Sequence, residues 1–153
     1  MKTPEINFYQ VEETIIKSLA PLLLKVLEED KKALVFCSSQ KQISEIDNSL
    51  WSYGRNKFIP HLTIFDEDFV KEFSKKISFE RQPILISNKE ENSNQADYLV
   101  FLDEPTSSFI SSFQRVFYFY EASNFAIAKA LAQKLNPKNS YKKVDGKWVK
   151  DAF

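Results

Sequence analysis

The stretch Ala33-Leu34-Val35-Phe36-Cys37, followed at once by Ser38-Ser39, decides the fold of this chain. Five consecutive apolar residues leave no polar face, so the segment reads as a strand buried on both sides, the habit of a parallel sheet covered by helices. Ser38 and Ser39 then offer hydroxyl oxygens to the first amides of a helix. Ile43, Ile46, Leu50 and Trp51 carry that helix over residues 41–51, with Gly54 as a stop signal.

The same strand-helix unit precedes it. Glu5–Val11 is rich in β-formers (Ile6, Phe8, Tyr9, Val11), and Ile15, Ile16, Leu19, Leu22, Leu23, Val26 and Leu27 recur at spacings of three and four. Those spacings lay one broad apolar face against a sheet. Pro21 falls inside the pattern and is expected to kink the helix. A β-α-β-α order predicts an α/β domain with a mostly parallel central sheet and helices over it.

Toward the C-terminus the pattern loosens and then resumes. Residues 58–65 mix strand formers with Pro60, which demotes them to an edge strand or an extended loop. Residues 66–76 can form a short amphipathic helix on Phe69, Val70 and Phe73. Pro83-Ile84-Leu85-Ile86-Ser87 and Tyr98-Leu99-Val100-Phe101-Leu102 are further buried strands, separated by a stretch, 88–95, that has no apolar residue and reads as a solvated loop. A helical turn over 105–113, the strand Val116-Phe117-Tyr118-Phe119-Tyr120 and a last helix over 121–135 closed by Asn136-Pro137 follow. Residues 140–150 suggest a short hairpin around Asp145-Gly146. With no repeat and no linker, residues 1–153 read as a single domain in which 137–153 form a basic C-terminal hairpin or tail.

Composition excludes several functions. The 153 residues carry 21 Lys plus Arg against 21 Asp plus Glu, and this zero balance argues against a surface that grips nucleic acid throughout. The charge is uneven, however. From residue 126 onward seven lysines face two acids, a local +5 that the rest of the chain offsets. Such a run either solvates a terminal helix or docks an acidic peptide or a carboxylate. A single cysteine permits no intrachain disulfide and fits a reducing compartment. No apolar run reaches the roughly 18 residues of a membrane span, and Met1-Lys2-Thr3-Pro4-Glu5 leads into no signal-peptide core. A cytoplasmic protein with no membrane partner is expected. Much of the area of the 14 Phe, six Tyr and two Trp belongs in a core, and part of it is a candidate docking surface.

Nucleotide chemistry is the first test for such a sheet. Only Gly54 and Gly146 occur, so a glycine-rich phosphate loop is excluded. The first turn, Val11-Glu12-Glu13-Thr14, puts two carboxylates where a phosphate would sit. The second, Cys37-Ser38-Ser39-Gln40, has hydroxyls but no glycine. A nucleophilic pair would have to be Cys37 with His61. Cys37 ends a buried strand and reads as a small core residue, and His61, beside Pro60, reads as a structural hydrogen-bonding residue or part of a surface. No zinc ligand set exists, and Asp66-Glu67-Asp68 complements a helix N-terminus. Neither a cofactor nor a metal is expected. Tyr141-Lys142-Lys143 and Lys147-Trp148-Val149-Lys150 interleave aromatic and basic residues that can stack on single-stranded bases. A protein-binding module fits these facts best; a nucleotide-handling or hydrolytic α/β enzyme and a direct single-stranded DNA binder are the alternatives.

Leu50-Trp51 followed by Lys57-Phe58-Ile59-Pro60-His61 resembles the chi subunit of bacterial DNA polymerase III holoenzyme, in which a helix ending in Leu-Trp precedes an F-hydrophobic-P-H step. Gln82-Pro83-Ile84-Leu85-Ile86 is similar to that family's P-V-L-hydrophobic strand, Arg115-Val116-Phe117 to its R-V strand, and Ser140-Tyr141 with Gly146-Lys147-Trp148 to the tails of some members. The resemblance covers nearly the whole chain. It implies a single-domain, Rossmann-like three-layer sandwich with helices on both faces and no nucleotide. It further implies a non-catalytic, clamp-loader-associated subunit that meets DNA only indirectly, by binding the acidic C-terminal tail of single-stranded DNA-binding protein. Lys129 and Lys134 on the last helix would hold that tail, and Trp51, Phe58, Ile59 and Pro60 would meet a second holoenzyme subunit of the psi type. The chain departs from the family in two places. The last helix lacks the family's A-R-x-R-type arginines, leaving lysine without the bidentate fork, and residues 66–81 form a longer insertion.

Overall fold

The computed structural model describes residues 3–53, 58–66 and 79–151. Its frame is one eight-stranded sheet in the order β3-β4-β2-β5-β6-β1-β7-β8. The strands are β1 Glu5–Val11, β2 Ala33–Phe36, β3 Leu62–Thr63, β4 Ile84–Ser87, β5 Tyr98–Phe101, β6 Arg115–Glu121, β7 Asn139–Val144 and β8 Lys147–Lys150. Every pairing is parallel except β7 with β8.

Continuous apolar runs occupy the middle of the sheet. Strands β2, β4 and β5 are buried at every position, as their lack of a polar face requires. β3 is a two-residue strand on one edge, as Pro60 beside it predicts.

Helices cover both faces. α1 (Ile16–Glu28) and α2 (Gln40–Ser52) pack on one side, where Leu19, Leu23, Ile43 and Leu50 meet Val35, Ile86, Val100 and Phe119. α1 runs on past Pro21 to Glu28. Ser39 caps α2 by accepting the Gln42 amide at 3.3 Å, the role its position predicted. On the other side, α3 (Ser107–Ile110) and α4 (Phe125–Leu135) bury Phe109, Ile110, Ala128 and Leu131 against Phe8, Phe101, Tyr118 and Tyr120. The result is the mostly parallel three-layer α/β sandwich expected.

Three details differ from the sequence reading. The final helix opens with a separate 3-10 turn, Ala122–Asn124, before α4 begins. Asn94, in the stretch read as solvated, is fully buried: its side-chain amide donates to the Ala33 and Gln82 carbonyls at 3.1 Å each. Those carbonyls flank the starts of β2 and β4, and a buried acceptor must find a donor. Residues 139–150 form the expected hairpin, but it is part of the sheet: β7 lies parallel to β1, with Tyr9 opposite Tyr141, and Lys138 donates its amide to Ile6 at 2.8 Å. Asp145 and Gly146, at φ 49° and 78°, make the two-residue turn, a geometry in which glycine costs little. The helix expected over 66–76, Gly54, Lys57 and the Glu67-Asp68 pair lie wholly or largely outside the described residues.

Candidate functional site

The sheet carries an exposed surface at each end. At the β8 end, α4, the turn after it and the hairpin enclose a groove of about 630 Å³ lined by Lys129, Ala132, Pro137, Lys138, Lys150 and Asp151, among others. The turn exists because Asn136 takes the left-handed conformation, φ 51°, at the C-cap of α4, a position where asparagine is well tolerated. Pro137 then prevents the helix from continuing.

Lys129 and Lys134 do not share this groove. Lys134 extends to Glu104, with 2.6 Å between Nζ and the carboxylate. At about 100° per residue, five positions along a helix turn the side chain by roughly 140°, so the two lysines leave α4 in different directions. The cations beside Lys129 are instead Lys138 and Lys150. Sequence reasoning counted both only within the basic run and not as partners of Lys129, because their nearness to α4 depends on the hairpin folding back along β1. α4 also leaves Ile127 61% exposed.

At the β3 end the exposed surface is aromatic. Trp51, at the end of α2, is 55% exposed and Phe58 66% exposed, with ring centroids 5.6 Å apart. Phe65, which sequence reasoning passed over, is exposed as well. Pro60 is half-buried. Ile59 differs: at 1% exposure it belongs to the α1/α2-side core, and it anchors the segment instead of facing solvent. His61 is the clip. Its Nδ1 lies 2.6 Å from the Ile59 carbonyl, its Nε2 lies 2.8 Å from the Asp47 carboxylate, and its ring sits 4.4 Å from that of Trp51. A buried imidazole with both nitrogens occupied is the structural residue the sequence suggested.

The carboxyl ends of the strands, where open α/β sheets commonly receive ligands, are closed to anions by the chain's own carboxylates. Asp103 accepts the Ser38 amide at 2.8 Å and the Ser38 hydroxyl at 2.9 Å, taking up the donors of the serine turn. Glu12 accepts the Asp145 and Gly146 amides at 3.1 Å each. Glu13 pairs with Lys17, whose hydrogen bond holds the carboxyl below its ordinary range. Burial, with Asp103 adding to it, pushes the Cys37 thiol up to about 12, which leaves the sulfur protonated at neutral pH and a poor nucleophile. No cluster of three or more metal-ligating side chains occurs among the described residues.

Residues 3–134 match the family model of the DNA polymerase III chi subunit, HolC. The chain belongs to that family. A curated relative, the probable DNA polymerase III subunit chi of Rickettsia prowazekii, is 27% identical over 95 residues, which is 62% of this chain and 52% of that protein. The chi-family chain thus matches about half the length of that relative. Among solved structures it is similar to the E. coli DEAD-box protein SrmB, bound there to regulator of ribonuclease activity A, at 13% identity and TM-score 0.56 over 94% of this chain and 92% of the other. It is also similar to the Pyrococcus furiosus Hef helicase domain, at 19% identity and TM-score 0.54 over 77% of this chain and 27% of the other. At such identities the likeness concerns the fold alone. The family match ends at Lys134, before the hairpin that supplies Lys138 and Lys150 to the groove. Among the described residues no helix is long and apolar enough to cross a membrane.

Proposed function

We propose that this chi-family chain is a non-catalytic, cytoplasmic adaptor of the DNA polymerase III clamp-loader assembly, holding two proteins on two separate surfaces. The groove beside α4 takes the acidic C-terminal tail of single-stranded DNA-binding protein. The Trp51–Phe58 surface takes a second holoenzyme subunit of the psi type, with Ile59 and His61 as its support and Pro60 at its margin. DNA is reached through the tail, and no cofactor or metal takes part.

The observation that carries this reading is the lining of the groove. Lys129, Lys138 and Lys150 stand around the apolar Ala132 and Pro137. An acidic tail that ends in an aromatic residue presents a free carboxylate next to an apolar ring, and needs cations beside an apolar recess. The groove's volume suits one such terminal residue, since ligand recesses commonly range from about 300 to 1,000 Å³. Lysines act here as point charges without the fork of arginine, so the affinity is expected to be of micromolar order and to weaken with salt.

The test is calorimetric titration with an acidic peptide ending in Phe, with a free C-terminal carboxylate and with that carboxylate amidated. The free form is expected to bind and the amide to bind about tenfold more weakly. Lys129→Glu with Lys150→Glu should remove binding. Lys134→Glu should cost less, because Lys134 already rests on Glu104. Unchanged binding by the Lys129/Lys150 variant would reject the groove as the site.

A further inference from the structure

The hairpin has a second face that neither proposed partner uses. Strand alternation sends Tyr141, Lys143 and Trp148 to the α1 side of the sheet, away from α4. There Tyr141 stacks on Tyr9 with centroids 5.2 Å apart and planes 15° apart, and Trp148 meets Tyr9 edge-on at 5.3 Å. Trp148 remains 39% exposed, and Tyr9 and Tyr141 are half-buried. The Lys143 ammonium lies 5.4 Å over the Trp148 ring, and Lys147 and Lys150 stand exposed at the two ends of β8. Two of the nearby acids are occupied: Glu12 by the turn amides and Glu13 by Lys17.

We propose that this corner, Tyr9, Tyr141 and Trp148 with Lys143, is a stacking platform for one or two bases of single-stranded DNA. Three features favour that occupant. Aromatic rings half-exposed on a sheet face offer unstacked bases a surface they lack in water, and stacking on such rings serves any base. Lys143 beside the rings matches a phosphate next to a stacked base. An acidic peptide has charge but no flat ring system to repeat along the strand, so it fits the groove on the opposite face better. The platform is independent of the groove: it uses the other side of β7 and β8. A protein-coated single strand would then be held by its coat on one face and touched directly on the other.

The experiment measures anisotropy of a labelled oligothymidylate of about 20 nucleotides, together with tryptophan fluorescence, on the full chain at about 50 mM salt, where few-lysine contacts still act. Weak binding is expected, with indole quenching and a log-log salt slope of about −0.7 for one lysine. Duplex of the same sequence should bind more weakly, since its bases are not free to stack. Tyr141→Ala should weaken binding roughly tenfold. Trp148→Phe keeps a ring against Tyr9, and should keep affinity within a few-fold while abolishing most of the quenching. If aromatic variants disturb folding, Lys143→Gln, which removes the cation over the Trp148 ring, should weaken binding and flatten the salt slope with an unchanged melting temperature. Absence of binding, equal affinity for duplex, quenching that survives Trp148→Phe, an unchanged salt slope in the Lys143 variant, or mole-for-mole displacement by the acidic peptide would overturn the proposal.

Discussion

At the β3 end of the sheet the exposed surface is led by aromatic rings, and it rests on side chains that are completely enclosed: Ile59 in the core and His61 pinned between a carbonyl and Asp47. At the β8 end the surface is rich in lysine, and it rests on a hairpin whose outer strand is exposed at all four positions. Eight strands at about 4.8 Å spacing set the two ends roughly 30 Å apart. The difference follows from the range of the forces involved. Apolar contact acts only at touching distance, so Trp51 and Phe58 must be held rigidly. Charge attraction reaches about 10 Å at moderate salt, so a softer mount suffices for the lysines.

The largest expected effect breaks the rigid end. Ile59→Ala empties a buried site and should destabilise the fold by about 3 kcal/mol, read as the midpoint of urea unfolding, whereas Trp51→Ala should change stability by less than about 1 kcal/mol and act on partner binding alone. Equal costs would mean that the patch is core and not docking surface. A smaller effect should appear at the soft end. Glu12→Ala removes the acceptor of two turn amides, with an expected cost of about 1–2 kcal/mol. It should register as faster hydrogen exchange at residues 139–150, with the β2–β5 amides unaffected. Exchange that rises throughout the sheet would show that the hairpin and the centre unfold as one unit.

An effect that is nil at neutral pH probes the sheet between the two ends. Burial pushes Tyr118 and Tyr120 up to about 12. A tyrosine that holds its proton more tightly folded than unfolded stabilises the neutral-pH structure, and that advantage fades as pH rises above the unfolded value near 10. Unfolding free energy should therefore stay flat up to about pH 10 and fall from there toward 12. A fall that begins near pH 8 would implicate other groups.

The centre of the sheet is legible in the sequence because burial on both faces writes itself as uninterrupted apolar residues, as in Ala33-Leu34-Val35-Phe36 and Ile84-Leu85-Ile86. The hairpin's turn is legible from Asp145-Gly146, but its pairing with β1 is not, since Asn139–Val144 has no buried position to mark it as a sheet strand. The aromatic end is readable as a group (Trp51, Phe58, Ile59, Pro60), yet which members face solvent depends on the direction His61 imposes. For the cations, helical geometry alone separates Lys129 from Lys134, and that signal was available in the spacing. The partnership of Lys129 with Lys138 and Lys150 was not, because it arises only when distant strands meet.

One consequence of the strand order concerns synthesis. β1 emerges from the ribosome first, but its two neighbours are β6 and β7: Ile6 waits for Val116, and Asn7 for Asn139. Until both arrive, the nascent chain carries an apolar strand with two unsatisfied edges, the kind of segment that invites mispairing. Closure across so much intervening chain makes the final step slow, and a chaperone that shields residues 5–11 would be most useful just before translation of this sheet ends.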